Sequence, residues 1–162
     1  MQAMGQKRDV ITGVVYTQNE QHVVTAGGPD GPLGDSAIGS GLIYSAPNSN
    51  KSPIGHFDFI STVTSIDEAG LRFITSIELS FKKNYSKRSW ISRLQPAFNA
   101  KRQDNAIYVA GVGYHQLDGG MWSRPLTLGV AAGTGCFIGT EGTAVVNQDS
   151  ASGFDIYSFQ LL

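Results

Sequence analysis

Residues 128–146 read Leu128-Gly129-Val130-Ala131-Ala132-Gly133-Thr134-Gly135-Cys136-Phe137-Ile138-Gly139-Thr140-Glu141-Gly142-Thr143-Ala144-Val145-Val146. An apolar run leads into a Gly-Thr-Gly corner, a lone aromatic follows, and a second β-branched run comes after it. That order predicts a β-hairpin whose corner is bulged and relieved by glycine. Small closed barrels need such joints to turn their strands without opening the sheet.

The rest of the chain keeps the same rhythm. Apolar or alternating runs occur at Asp9–Tyr16, His22–Ala26, Ser36–Ser45, His56–Ser65, Leu71–Phe81, Ala106–His115, Leu126–Ala132, Thr143–Asn147 and Phe154–Leu161. Turn-forming clusters separate them: the glycine- and proline-rich stretch Gly27–Gly34, Pro47–Pro53 and Asp67–Gly70. About eight strands at hairpin spacing predict one all-β domain over residues 1–162, a sandwich or an eight-stranded antiparallel barrel. The 162 residues are enough to bury a core, and 15% charged residues with 20 glycines suit tight β corners.

Alternation assigns faces on two strands. Phe57, Phe59, Ser61 and Val63 share one face of the third strand. Leu71, Phe73, Thr75, Ile77, Leu79 and Phe81 share one face of the next, with Arg72, Ser76, Glu78 and Ser80 opposite. The apolar faces are expected to point inward. Small Ser61 and Thr75 among large rings would leave room for a ligand, and the competing reading is an interior filled by side chains.

Residues 84–103 break the pattern and are expected to form an inserted flap or loop. Trp90 and Leu94 lie at i and i+4, with Lys87, Arg88 and Arg93 around them, and Pro96 ends any helix. An apolar side of that size is too large for an exposed loop. It implies a flap over a barrel mouth or, in the alternative, a plug, a surface patch or a subunit contact.

Several functions are excluded by composition. A net charge of −1 supplies no basic field for nucleic acid or anionic lipid. One cysteine, Cys136, rules out an internal disulfide and reads as a small buried filler rather than a nucleophile. The first nine residues lack the apolar segment of a secretory signal and no run is long enough to span a membrane, so a cytoplasmic location is expected. Gly133, Gly135 and Gly139 do not have nucleotide-loop spacing, and strand formers follow where a helix would begin. No Gly-x-Ser-x-Gly elbow is present, and Gly39-Ser40-Gly41 reads as small residues in a curved strand. The three histidines, His22, His56 and His115, fall on separate strands. His56 shares a face only with Asp58, so no metal site and no cofactor are expected.

Ordered motifs along about 130 residues resemble the allene oxide cyclase and dirigent families. Val15-Tyr16-Thr17-Gln18-Asn19-Glu20 is similar to the cyclases' first-strand Val-Tyr-Glu-x-Asn-Glu. Leu33-Gly34-Asp35, Ile43-Tyr44-Ser45, Ile54-Gly55, Gly70-Leu71-Arg72-Phe73 and Phe154–Phe159 resemble their later strands. Ile38-Gly39 through Tyr44 resembles the dirigent Val-Gly-x-x-x-Gly-x-Tyr run, and the hairpin quoted first resembles the signature hairpin of both families. The resemblance implies an eight-stranded barrel that holds a reactive hydrophobic molecule. The family's pocket Asn falls on Asn19 and a pocket Phe on Phe73. Its pocket Cys falls on Ser61, its first-strand Glu on Thr17, and the dirigent Arg on Glu141.

Among such barrels the chain looks most like those that catalyse intramolecular cycloadditions, the Diels-Alderase-like natural-product cyclases. The expected function is cofactor-free ring closure of a hydrophobic polyene, which needs reacting ends held close and a hydrogen bond to a substrate carbonyl. Phe57, Phe59, Phe73, Ile77, Phe81 and Val109 would shape the substrate. Asn19, Thr17, Ser61, Thr75, Tyr108, Tyr114 and His115 are the candidates for the hydrogen bond, and Trp90 and Leu94 would close the mouth. The alternatives are a non-catalytic dirigent-like binding protein for a hydrophobic small molecule, or a structural barrel with a filled core. A homodimer or homotrimer is expected in each case, with no nucleic-acid or membrane partner.

Overall fold

β-branched and aromatic residues on alternating positions form a single sheet that closes on itself. The computed structural model describes residues 10–25, 33–68, 70–86, 89–94, 105–115, 125–149 and 151–162. Its strands are β1 (Ile11–Thr25), β2 (Ser36–Tyr44), β3 (Gly55–Asp67), β4 (Gly70–Phe81), β5 (Asn105–His115), β6 (Leu126–Gly133), β7 (Gly142–Asp149) and β8 (Phe154–Leu161). Each pairs antiparallel with the next, and β8 returns to β1, giving a closed barrel in chain order. Closure gives each strand a neighbour on both sides, so the sheet has no edge strand of the kind that attracts another chain. No helix among the described residues is long and apolar enough to cross a membrane.

Two of the expected runs are one strand. Asp9–Tyr16 and His22–Ala26 belong to the long β1 from Ile11 to Thr25; Val10 precedes the strand, and Asp9 and Ala26 lie outside the described residues. The polar stretch Gln18-Asn19-Glu20-Gln21 interrupts the hydrophobic pattern but not the ladder. It is absorbed as a register shift between Asn19 and Gln21 against β2. A bulge takes one extra residue into a strand without ending it.

The quoted hairpin forms β6 and β7 around a 3-10 turn at Gly135–Phe137. Gly135 and Gly139 have φ of 59° and 72°, in the left-handed region that glycine enters without a Cβ clash. The corner is also bulged on its other side. Tyr108 pairs with Ala132 and Val109 with Val130, so Ala131 is the extra residue.

Inward residues from all eight strands meet in one core that includes Val15, Ile43, Phe57, Phe73, Ile77, Leu79, Ile107, Leu128, Val146, Tyr157 and Phe159. Each large apolar side chain withdrawn from water contributes about 2 kcal/mol. Where an aromatic ring crosses the interior, the strand facing it carries glycine. Phe73 lies against Gly113 and Phe57 against Gly41, where a Cβ would meet the ring (at Gly41 the Gln18 carbonyl as well), and a Cβ at Gly133 would meet the backbone and Cβ of Phe137.

One end of the barrel is plugged. After β4 the chain makes a short helix, α1 (Lys83–Ser86), and a 3-10 turn over Trp90–Leu94. Ile91 is fully buried, and Trp90 and Leu94 pack on the core. Trp90 stacks on Phe159 at 5.5 Å between ring centroids and meets Phe81 and Phe137 edge-on at 6.3 and 6.4 Å. The described part of segment 84–103 is thus a plug seated in the barrel, the alternative to a free flap. Residues 87–88 and 95–103 lie outside the described residues.

Candidate functional site

Away from the plug, two inner walls of the barrel differ in character, one apolar and one carrying polar side chains. On the first wall the strand register stacks Phe59, Ile77 and Val109, then Ser61, Thr75 and Gly111, then Val63, Phe73 and Gly113. The Ser61 hydroxyl donates to Thr75 Oγ1 at 2.6 Å, and Thr75 Oγ1 donates to the Ile60 carbonyl at 3.2 Å. This wall is apolar with one internally satisfied hydroxyl pair.

The second wall is built by β1, β8 and β7. Thr17 sits opposite Asp155, which is opposite Gln148; one inward position nearer the plug, Val15 and Val146 flank Tyr157. Thr17 is 1% exposed and Tyr157 2%. The Thr17 hydroxyl lies beside the Tyr157 phenol, and it is a buried oxygen with no hydrogen-bond partner among the described residues. Burial alone pushes the Asp155 carboxyl up from 3.8 to about 6. Among the described residues no counter-charge offsets the loss of water, so the neutral form is favoured. Burial also raises the Tyr157 phenol, and the Asp155 charge adds to that, while Thr17 opposes it.

Most of the residues singled out in the sequence meet inside the barrel. Phe57, Phe59, Phe73, Ile77, Val109, Ser61, Thr75 and Thr17 all face inward. Phe81 does too, but at the plugged end, where its ring lies against Tyr85, Trp90 and Phe137. Asn19 occupies the next inward position of β1 after Thr17 and is exposed. His115 pairs with Leu71 at the end of β5, and its side chain is outside the described set.

Tyr108 and Tyr114 are corrected: both point outward. The odd-numbered residues of β5 fill the core and the even-numbered ones face away, so Tyr108 pairs with Glu78 and Tyr114 with Arg72 on the outer surface. Neither can reach a substrate inside the barrel. Conversely, Asp155 and Tyr157 were not singled out. Their signal is the alternation of Asp155, Tyr157 and Phe159, which puts a carboxylate on the aromatic face of the last strand. Phe154 and Ile156 on the other parity hide it. Phe154 is itself buried, edge-on to Tyr44 at 5.6 Å.

The outer surface holds two adjoining grooves that share Glu78 and Tyr108. One, of about 710 Å³, is lined by His56, Ser80, Phe81, Ala106, Thr134 and Ile138 among others; the second, of about 470 Å³, includes Asp58, Ile60, Ser76, Ala110 and Ala132. Ser80 Oγ donates to Glu78 Oε1 at 2.9 Å, and the Tyr108 phenol lies beside the same carboxylate, whose charge helps raise it after desolvation. These contacts knit the outer ladder. No group of three or more His, Cys, Asp or Glu side chains among the described residues is placed to hold a metal ion. Cys136 is half-buried, and burial pushes its thiol up to about 11.

No family model matches the chain, and no curated protein sequence matches it. Solved structures do. Pyocyanin demethylase superposes with a TM-score of 0.65 over 94% of this chain and 100% of its own, at 16% identity. The pterocarpan synthase dirigent proteins PsPTS1 and GePTS1 give 0.62 and 0.59, over 96% and 99% of this chain and 95% and 92% of theirs, at 16% and 15% identity. The fold is a dirigent-like barrel. At such identities the likeness reaches the barrel and its closure and leaves the chemistry to the side chains.

Proposed function

We propose that this barrel binds a hydrophobic small molecule in the half of its interior away from the plug, and closes a ring within it without a cofactor. The observation that carries the reading is the opposition of two inner walls. Phe59, Phe73, Ile77 and Val109 offer a shaped apolar surface, and Thr17, Asp155 and Tyr157 offer hydrogen-bonding groups across from it. An intramolecular cycloaddition needs no nucleophile. It needs one folded substrate conformation, and proximity alone can remove several kcal/mol of barrier. A hydrogen bond aimed at a substrate carbonyl in a site that excludes water lowers the barrier further. Two fold neighbours are named for work on small organic molecules, pyocyanin and pterocarpan, which supports a small-molecule role for a barrel of this kind.

A second reading, binding without chemistry, is favoured by the aromatic packing around Trp90, Phe81, Phe137 and Phe159, which stiffens one half of the barrel. The test is a panel of linear polyenes bearing dienone, tetronate or tetramate groups. Thermal stabilisation is measured first, and mass spectrometry then looks for a product of unchanged mass and shifted retention. Conversion that boiled protein and Phe73→Ala lose is the expected result. Stabilisation without conversion leaves the binding protein, and neither effect leaves a filled structural barrel.

A further inference from the structure

We propose that Thr17, Asp155 and Tyr157 form a cradle for one hydrogen-bond-accepting oxygen of the ligand, a carbonyl conjugated to its apolar body. The cradle binds that oxygen only while Asp155 carries its proton. The inference rests on the interior binding reading above and names the ligand class for that site.

Strand geometry brings the three groups together. Thr17 and Asp155 are directly opposite on β1 and β8, and Tyr157 follows Asp155 on the same face two residues on. Directly opposite side chains start about 5 Å apart and same-face neighbours about 7 Å apart, so three short reaches converge on one interior point. Thr17 is the decisive member. A hydroxyl 1% exposed and without a partner is costly, because a buried polar atom loses water and gains nothing. A ligand oxygen placed there would satisfy it.

The surroundings narrow the ligand chemistry. The groups facing Asp155 are Thr17 and, one inward position on, Asn19 from β1, Gln148 from β7, and Tyr157 from its own strand. Tyr157 is the one titratable group among them, and no cation among the described residues offsets the Asp155 charge. An anionic ligand would meet no positive partner. A cationic ligand would have to be stripped of water against an apolar wall with a carboxyl that burial keeps protonated more readily than usual. A neutral carbonyl fits, since a protonated carboxyl, a phenol and a threonine hydroxyl are all donors. Once Asp155 ionises it becomes an acceptor only and repels the same oxygen.

The probes are trans-β-ionone, a conjugated ketone, and β-ionol, its alcohol, titrated by calorimetry at pH 5 and pH 8. The expected result is a ketone affinity that falls about tenfold or more between those pH values, with a weaker or opposite trend for the alcohol, which can donate to the carboxylate. The ketone's ultraviolet band should shift to the red at pH 5, as it does when a donor loads the carbonyl. Asp155→Asn keeps a donor that cannot ionise, so its ketone affinity should be flat with pH. Thr17→Val should weaken ketone binding while keeping the pH dependence. Ketone binding that is flat with pH in the native chain, or a pH dependence that survives in Asp155→Asn, overturns the cradle and leaves the interior site standing. Failure of both probes to bind at either pH overturns the interior site and the cradle with it.

Discussion

The Trp90 indole lies against the α-carbon of Gly13, so that a methyl group at position 13 would fall on the ring. Gly13 faces inward beside Phe159, on which Trp90 stacks. The plug is therefore keyed to a missing side chain on β1. Gly13→Ala should destabilise the fold by about 1–3 kcal/mol through overpacking, although alanine is otherwise the better strand former. Trp90→Ala should cost about 3–5 kcal/mol. In the Trp90→Ala background the Gly13→Ala penalty should largely vanish. Denaturant melts of the four proteins measure the coupling, and an equal Gly13→Ala cost in both backgrounds would show that the two sites do not touch.

The Ser61 and Thr75 hydroxyls satisfy each other on the opposite wall. Thr75→Val keeps the shape, leaves Ser61 without its acceptor and removes the bond to the Ile60 carbonyl, which should cost about 1–2 kcal/mol. Adding Ser61→Ala should recover part of that loss, because an apolar pair leaves no orphaned group. A double-mutant cycle in urea checks this. Strictly additive costs would mean that water, not Thr75, solvates Ser61.

The closed barrel was legible because period-2 patterning survives on β3 and β4 and because turn residues punctuate the hairpins. Phe57, Phe59, Phe73, Thr75 and Ile77 could be turned inward from alternation alone. β1 was not legible as one strand, since the bulge after Asn19 absorbs a polar break that reads like a turn. β5 misled for a different reason. Its run Ala106–His115 is apolar or small on both faces, so nothing in the sequence says that Val109 points in and Tyr108 out. Asp155 was hidden because a carboxylate on a mixed-face strand reads as solvent-facing. Only closure of β8 against β1 shows that it is turned inward and half-buried.

Cys136 sits beside the hairpin corner with its thiol pushed up to about 11 by burial. The thiolate is the reactive form, so at pH 8 labelling by a disulfide reagent should be slower in the native protein than in the unfolded chain by about a hundredfold. Cys136→Ser should cost only about 1 kcal/mol, because the bond from the Cys136 amide to Asn105 Oδ1, at 3.0 Å, does not use the side chain. Labelling at the unfolded rate under native conditions would contradict the burial.

Asp155 makes the stability of the barrel depend on pH in a direction opposite to that of most carboxylates. Its folded value of about 6 lies above the ordinary 3.8, so the folded chain holds the proton more tightly than the unfolded chain does. The stabilisation from that proton is complete below about pH 4 and is lost as the pH rises through about 6, amounting to about 3 kcal/mol by pH 8. Asp155→Asn carries no ionisable group at the site and should lose nothing over that range. The variant should therefore unfold at a higher temperature than the native chain at pH 8, and at the same or a slightly lower one at pH 4. The other carboxylates titrate in both proteins, so the difference between the two melting curves isolates this one side chain. A difference that stays constant from pH 4 to pH 8 would place Asp155 in water and remove the physical basis of its role in the barrel.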